Sequence, residues 1–143
     1  MQAEQVSSTE SREHAVKFAH TFTVEAGDID VMGHVNNVVY VRWIQEVAVK
    51  HWMAKASAEQ IASVLWVVVR HEIDYLRPAF LGDNLIAHTW VGAATAATYE
   101  RFTEITRAGD DKTIVRARSV WCPVNAETKR PRRVDAEMRA RFE

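Results

Sequence analysis

The chain has 143 residues, enough for one domain and short for two of ordinary size. Its 18 basic and 19 acidic side chains leave a net charge of −1, so no overall field draws it to nucleic acid or to an anionic membrane. A hydrophobic fraction of 48% suffices for a core, the single cysteine, Cys122, forbids an internal disulfide, and no Cys/His spacing suggests a zinc site.

Residues 1–13, rich in Ser, Gln and Glu, read as a disordered polar tail without the apolar stretch of a secretory signal; residues 14–143 read as a single domain. Residues 16–24 alternate in the manner of a first strand, rich in β-branched and aromatic side chains, and stop at Ala26-Gly27-Asp28. From 37 to 54 the period becomes helical. Tyr40, Ile44, Val47 and His51 make one stripe, widened by Val41, Ala48 and Trp52, with Arg42, Gln45, Glu46 and Lys50 opposite.

A linker at 55–61 leads to four strand-like runs, 64–76, 85–91, 97–107 and 113–124, set off by Arg77-Pro78, Gly82-Asp83-Asn84, Gly109-Asp110-Asp111 and Pro123. Residues 135–142 read as a short helix capped by Asp135. The longest apolar run, 64–69, is far too short to cross a bilayer, and the expected location is the cytoplasm. One strand, one long helix and then four strands in meander style predict an α+β fold with a sheet of about five antiparallel strands.

Between the first strand and the helix stands Asp28-Ile29-Asp30-Val31-Met32-Gly33-His34-Val35-Asn36-Asn37. Two carboxylates, an imidazole, a glycine and two amides crowd into ten residues. A loop that feeds a helix start presents free N–H groups, which suit an anion or a polarised carbonyl. A carboxylate and an imidazole set against such donors suit acyl transfer or hydrolysis. Asn36 or Asn37 can cap the helix.

These ten residues, with Tyr40 and Trp43, resemble the signature of hotdog-fold thioesterases, most closely the 4-hydroxybenzoyl-CoA thioesterase family and the related acyl-ACP thioesterases. Ile73-Asp74-Tyr75-Leu76-Arg77-Pro78, Gly82-Asp83 and Glu127-Thr128-Lys129-Arg130-Pro131 extend the match, in the family's order, over residues 16–142. The resemblance implies an antiparallel sheet wrapped around one long central helix. It also implies a homodimer joined edge to edge through its sheets, in some members a dimer of dimers, with the site at the subunit interface.

The implied reaction is hydrolysis of acyl-CoA to a free acid and CoA, without metal or other cofactor. Asp30 matches the family's catalytic carboxylate, as nucleophile or general base. The Asn37 N–H matches the oxyanion donor and Gly33 the slim turn beside the substrate. His34 matches a residue with a catalytic role in acyl-ACP thioesterases, where an Asn stands two residues earlier. Here that position holds Met32, so the Asp-Asn-His set is incomplete. Asn36, Tyr40 and Trp43 stand near enough in sequence to border the substrate. A hydratase of the same fold and a non-catalytic acyl-thioester binding module are the rival readings.

Elsewhere His51, His71 and His88 read as packing or surface groups, Glu72 and Asp74 as a solvated strand face, and Cys122 as a small core residue. Lys129, Arg130, Arg132 and Arg133 read as a solvated turn, with the phosphates of CoA as the alternative.

Overall fold

The longest element is a helix, α1 (Asn37–Lys55), and the rest of the chain is arranged to cover it. It begins where the Asn36 side chain accepts the Val38 N–H, which meets one of the donors a helix start leaves bare. Tyr40, Trp43, Ile44, Val47, Ala48, His51 and Trp52 are buried, a stripe at helical spacing about three turns long. Trp43 takes the place expected of Val41, which is half-buried. Gln45 is also half-buried, turned from its expected solvent side toward His71.

This computed structural model describes residues 16–143, so the tail read at 1–13 lies outside the described residues. Five strands make one antiparallel sheet: β1 (Phe18–Thr23), β2 (Val64–Tyr75), β3 (Asn84–Ala94), β4 (Tyr99–Arg107) and β5 (Thr113–Asn125). The order across it is β1-β3-β4-β5-β2, the hotdog arrangement implied by the resemblance. The meander is confined to β3–β4–β5, because the segment between β2 and β3 does not close a hairpin. Gly82 N–H donates to the Val24 carbonyl and Val24 N–H to that of Asp83, which ties this segment to the end of β1. β2 therefore lies at one edge against β5, with Val68 opposite Trp121, and β1 lies at the other against β3.

The inner face of the sheet meets α1 through Leu85, Ala87, Ile105 and Val115, all fully buried with Val24, Val35 and Trp43. Burying one such Leu or Ile side chain contributes about 2 kcal/mol, so this layer supplies most of what fixes the helix to the sheet. Under the second half of α1, Trp52, Val64, Val91, Tyr99 and Met138 form a second cluster. There the short α3 (Ala136–Ala140), capped by Asp135 as expected, brings in Phe142, whose ring lies 5.7 Å from Trp52.

One element was absent from the sequence reading. The linker at 55–61 holds a helical turn, α2 (Ala58–Ser63), started by a reciprocal capping box between Ser57 and Gln60. Among the described residues, no helix is long and apolar enough to cross a membrane.

Candidate active site

The polar loop before α1 is a miniature hairpin. Ile29 pairs with Val35, Asp30 N–H donates to the His34 carbonyl, and Gly33 N–H closes the turn on the Asp30 carbonyl at 3.0 Å. Gly33 sits at φ +86°, where a side chain would be strained, and this lets the chain turn back within three residues. Two more bonds lock the hairpin in place. Val35 N–H donates to the Ala79 carbonyl, and Asn36 N–H donates to the Asp28 carbonyl, both at 2.9 Å. Asp30 therefore lies beside the chain that runs into α1, although seven residues separate it from Asn37.

Asp28 and Asp30 have different surroundings. Asp28 is buried at 6% exposure, and one oxygen accepts the Glu25 N–H while the other accepts from Arg42. Both oxygens are spent on holding the loop. Asp30 is half-buried; Oδ1 accepts the Met32 N–H at 2.9 Å, and Oδ2 takes no hydrogen bond among the described residues. Only the second carboxylate retains a free lone-pair face.

The Asn36 side chain is committed to Val38 N–H, and its carbonyl accepts Val39 N–H. The Asn37 N–H, at the first helical position, stands outside these bonds and so keeps the donor character and partial positive charge of a helix start. The His34 ring is half-buried, edge-on to Phe80 at 6.5 Å, and forms no hydrogen bond with the Asp30 carboxylate among the described residues. Tyr40 and Trp43 lie inside the core, 5.3 Å apart, with Trp43 against Phe22. They brace the helix start from below rather than stand on its surface.

A shallow groove of about 400 Å³ runs from Asn37 along α1 past Val38, Val41 and Gln45 to Tyr75 on β2. The Tyr75 hydroxyl donates to the Asn37 carbonyl at 3.4 Å. Beneath it, Gln45 Nε2 donates to His71 Nε2 at 3.4 Å, and His71 Nδ1 is 2.7 Å from the Ser119 hydroxyl. Burial holds the His71 pKa below its usual range, which favours the neutral ring that can accept from Gln45. In the sequence Gln45 reads as solvent-facing and His71 as a packing or surface group. Their pairing joins residues 26 positions apart, and no local period announces it.

Of the basic cluster at the chain's end, Lys129 donates to the Ala126 carbonyl and Arg132 pairs with Asp135, which matches the solvated-turn reading. Among the described residues, no group of three or more His, Cys, Asp and Glu is placed to hold a metal ion.

A five-stranded antiparallel sheet along one long helix, with a carboxylate-bearing hairpin at the helix start, defines a hotdog protein of the thioesterase class. The sequence pattern of the Thioesterase-like superfamily matches residues 24–142, and the chain belongs to that family. Its fold is similar to that of a 4-hydroxybenzoyl CoA thioesterase variant complexed with 4-hydroxybenzoyl CoA. That likeness has a TM-score of 0.80 at 17% identity and covers 89% of this chain and 99% of the other. It is likewise similar to a 1,4-dihydroxy-2-naphthoyl-CoA thioesterase from Synechocystis, with a TM-score of 0.75 at 17% identity and coverage of 87% and 94%. In sequence it is 24% identical, over 135 residues, to a chloroplastic palmitoyl-acyl carrier protein thioesterase from Gossypium hirsutum. That match takes in 88% of this chain and 33% of the relative, so the chain spans about a third of that protein's length.

Proposed function

We propose that this chain hydrolyses acyl-CoA thioesters to the free acid and CoA, with the chemistry on the Asp30 loop. The observation that carries the reading is the division of labour between the two carboxylates. Asp28 is consumed in holding the loop, while Asp30 keeps an unengaged oxygen on a hairpin fixed against the first N–H of α1.

In the proposed step, water attacks the acyl carbon and gives its proton to Asp30, or the Asp30 carboxylate attacks directly and water opens the resulting anhydride. Either route places negative charge on the former carbonyl oxygen. The Asn37 N–H, at the positive end of the helix dipole, stabilises that charge by about 3 kcal/mol. The C–S bond then breaks and the CoA thiolate takes up a proton. On the water route this is the proton that Asp30 took up, which resets the carboxylate, and on the anhydride route it comes from the water that opens the anhydride; His34 is the proposed relay. The groove from Asn37 to Tyr75 is the entry surface for the thioester arm, and Gly33 keeps the turn slim enough for close approach.

The reading extends to a homodimer. β2 is a long edge strand, and its outward side chains Leu65, Val67 and Val69 are apolar and exposed, which marks a strand edge made to be covered. Pairing of two such edges is the proposed association.

The experiment is thiol release from a panel of acyl-CoAs, from acetyl to palmitoyl with benzoyl and phenylacetyl, for the wild type and Asp30→Ala. Loss of turnover in the variant by about a hundredfold or more, with an unchanged melt, is expected. Wild-type protein inert toward every acyl-CoA of the panel would overturn the acyl-CoA reading and leave an acyl-protein substrate, the hydratase or the binding module.

A further inference from the structure

The proposed chemistry leaves one sizeable hollow of the protein unused. A cavity of about 550 Å³ opens beneath the second half of α1, walled by Trp52, Trp66, Trp121, Val91 and Ile61. It is about 20 Å along the helix from Asn37, at 1.5 Å per residue. An apolar wall of this kind suits a hydrocarbon chain or an aromatic ring.

The wall holds one carboxylate, Glu100, and one deeply buried cation, Arg101, which do not pair with each other among the described residues. Arg101, on the inner face of β4, is buried at 8% exposure. Its Nη1 donates to His51 Nδ1 at 2.8 Å and to the Thr89 hydroxyl at 3.1 Å, both neutral acceptors. Burial and the neighbouring guanidinium push the His51 pKa down to about 3, so this ring stays uncharged. No carboxylate pairs with Arg101 among the described residues.

The neighbouring groups cannot supply one. The Glu100 oxygens are taken by the Ala93 N–H and by Arg118 Nε, and the Tyr99 hydroxyl is bound to Glu143. Among the described residues, the buried indole N–H groups of Trp66 and Trp121 have no partner. A buried charge without a counter-charge is costly, and buried donors are normally satisfied. A cation and two indole donors around one apolar space lack a single component, an anionic acceptor carried on an apolar body.

We infer that this cavity binds a carboxylate with an apolar tail or ring, its head group held by Arg101. A carboxylate matches the planar fork of a guanidinium and carries only one charge into the apolar wall. Two sources present that chemistry. One is a free carboxylic acid; the other is an acyl thioester bearing a second carboxylate at its far end. The second source rests on the thioesterase reading and the first does not.

The test compares octanoate with octanol, followed by tryptophan fluorescence and by calorimetry. Wild-type protein is expected to bind octanoate about tenfold or more tightly than octanol, the factor for one charge-assisted pair. Arg101→Met is expected to bring that ratio to about one while leaving octanol affinity in place. Octanol binding as tightly as octanoate to the wild type, no binding of either, or a ratio that survives in Arg101→Met would each overturn the inference. If Arg101→Met does not fold, the wild-type ratio still decides, and Trp121→Phe should lower octanoate affinity severalfold through loss of the N–H alone.

Hydrolysis of octanoyl-CoA against 7-carboxyheptanoyl-CoA separates the sources. A preference for the carboxylated chain that vanishes in Arg101→Met assigns the cavity to the acyl arm. Selective octanoate binding without that preference assigns it to the free acid. Selective binding by a protein that hydrolyses neither CoA thioester supports the cavity and refutes the acyl-CoA hydrolase reading.

Discussion

Replacing Asp28 tests whether the two acids of the loop have the separate roles their surroundings give them. Asp28→Ala removes the acceptor of the Glu25 N–H at 2.9 Å and the partner of Arg42 at 2.9 Å. Loss of the N–H acceptor resembles loss of a helix cap, about 1 kcal/mol. The Arg42 side chain is 55% exposed, so its ion pair is screened and adds no more than about 0.5–1 kcal/mol. The expected destabilisation is about 1.5–2 kcal/mol, a fall in Tm near 6 °C for a chain of this size.

Asp28→Asn keeps an acceptor and loses only the charge, and should fall by about a third of that. Because the Asp28 carbonyl still accepts Asn36 N–H, the hairpin persists, and kcat/KM for Asp28→Ala should drop about tenfold through misplacement of Asp30. Asp30→Ala should lose about a hundredfold or more with no change in melt. Differential scanning fluorimetry and thiol-release kinetics on the three variants give both numbers. An Asp28→Ala protein as stable as the wild type but as inactive as Asp30→Ala would refute the assignment and make Asp28 the reacting carboxylate.

Three further expectations concern stability and assembly. His51 has a folded pKa near 3 against about 6.5 unfolded, so below pH 6.5 the unfolded chain takes up a proton that the folded one refuses. Stability should therefore fall as pH drops from 6.5 toward 3 and be insensitive to this group above 6.5. Urea melts at pH 5 and 6.5 should show a loss about 2 kcal/mol larger in the wild type than in His51→Gln, and equal losses would dismiss the effect. A methyl group at Gly92 would overlap the Glu100 carboxylate and the Phe102 ring, so Gly92→Ala should lower the unfolding free energy by about 1–3 kcal/mol in denaturant titration, and an unchanged midpoint would contradict the packing. Val69→Lys places a charge among the exposed apolar side chains of β2 outside the cavity wall and should shift the protein to a monomer in light scattering, whereas an unchanged mass would exclude this edge as the dimer contact.

What could be read from the sequence was whatever repeats along it. The α1 stripe, the five strand runs, the Asp135 cap and the loop signature all lie in contiguous residues, where period and turn chemistry carry the information. Ser57 and Gln60 carry the same kind of local signal for α2, a capping box within four contiguous residues. What the sequence did not show was pairing between distant segments. Nothing in the run from Val64 to Tyr75 says that it will lie against β5 instead of β3, since that depends on how the 76–83 segment binds Val24. The Arg101–His51–Thr89 cluster joins a helix and two strands, and in the sequence each member reads as an ordinary residue of its own element. In the loop, the identity of the acids was legible, but which of them was free required the Arg42 and Glu25 contacts.

The two proposed sites along α1 are brought together by the proposed dimer. Within one chain the Asp30 hairpin stands at the start of the helix and the Arg101 cavity under its second half. β2 runs beneath both, with Tyr75 in the groove near Asn37 and Val64 to Val67 in the cavity wall. Antiparallel pairing of two β2 edges about a two-fold near the Val69 bulge sets the first half of one strand against the second half of the other. We propose that this brings the hairpin end of one protomer toward the cavity end of its partner, so that the acyl arm of a thioester at Asp30 reaches the partner's apolar wall. On this proposal a monomer keeps Asp30, the Asn37 N–H and its own cavity, but has no partner's cavity beside the hairpin. Breaking the β2 edge should accordingly raise KM for long acyl chains far more than for acetyl-CoA, because the shortest substrate never reaches that wall.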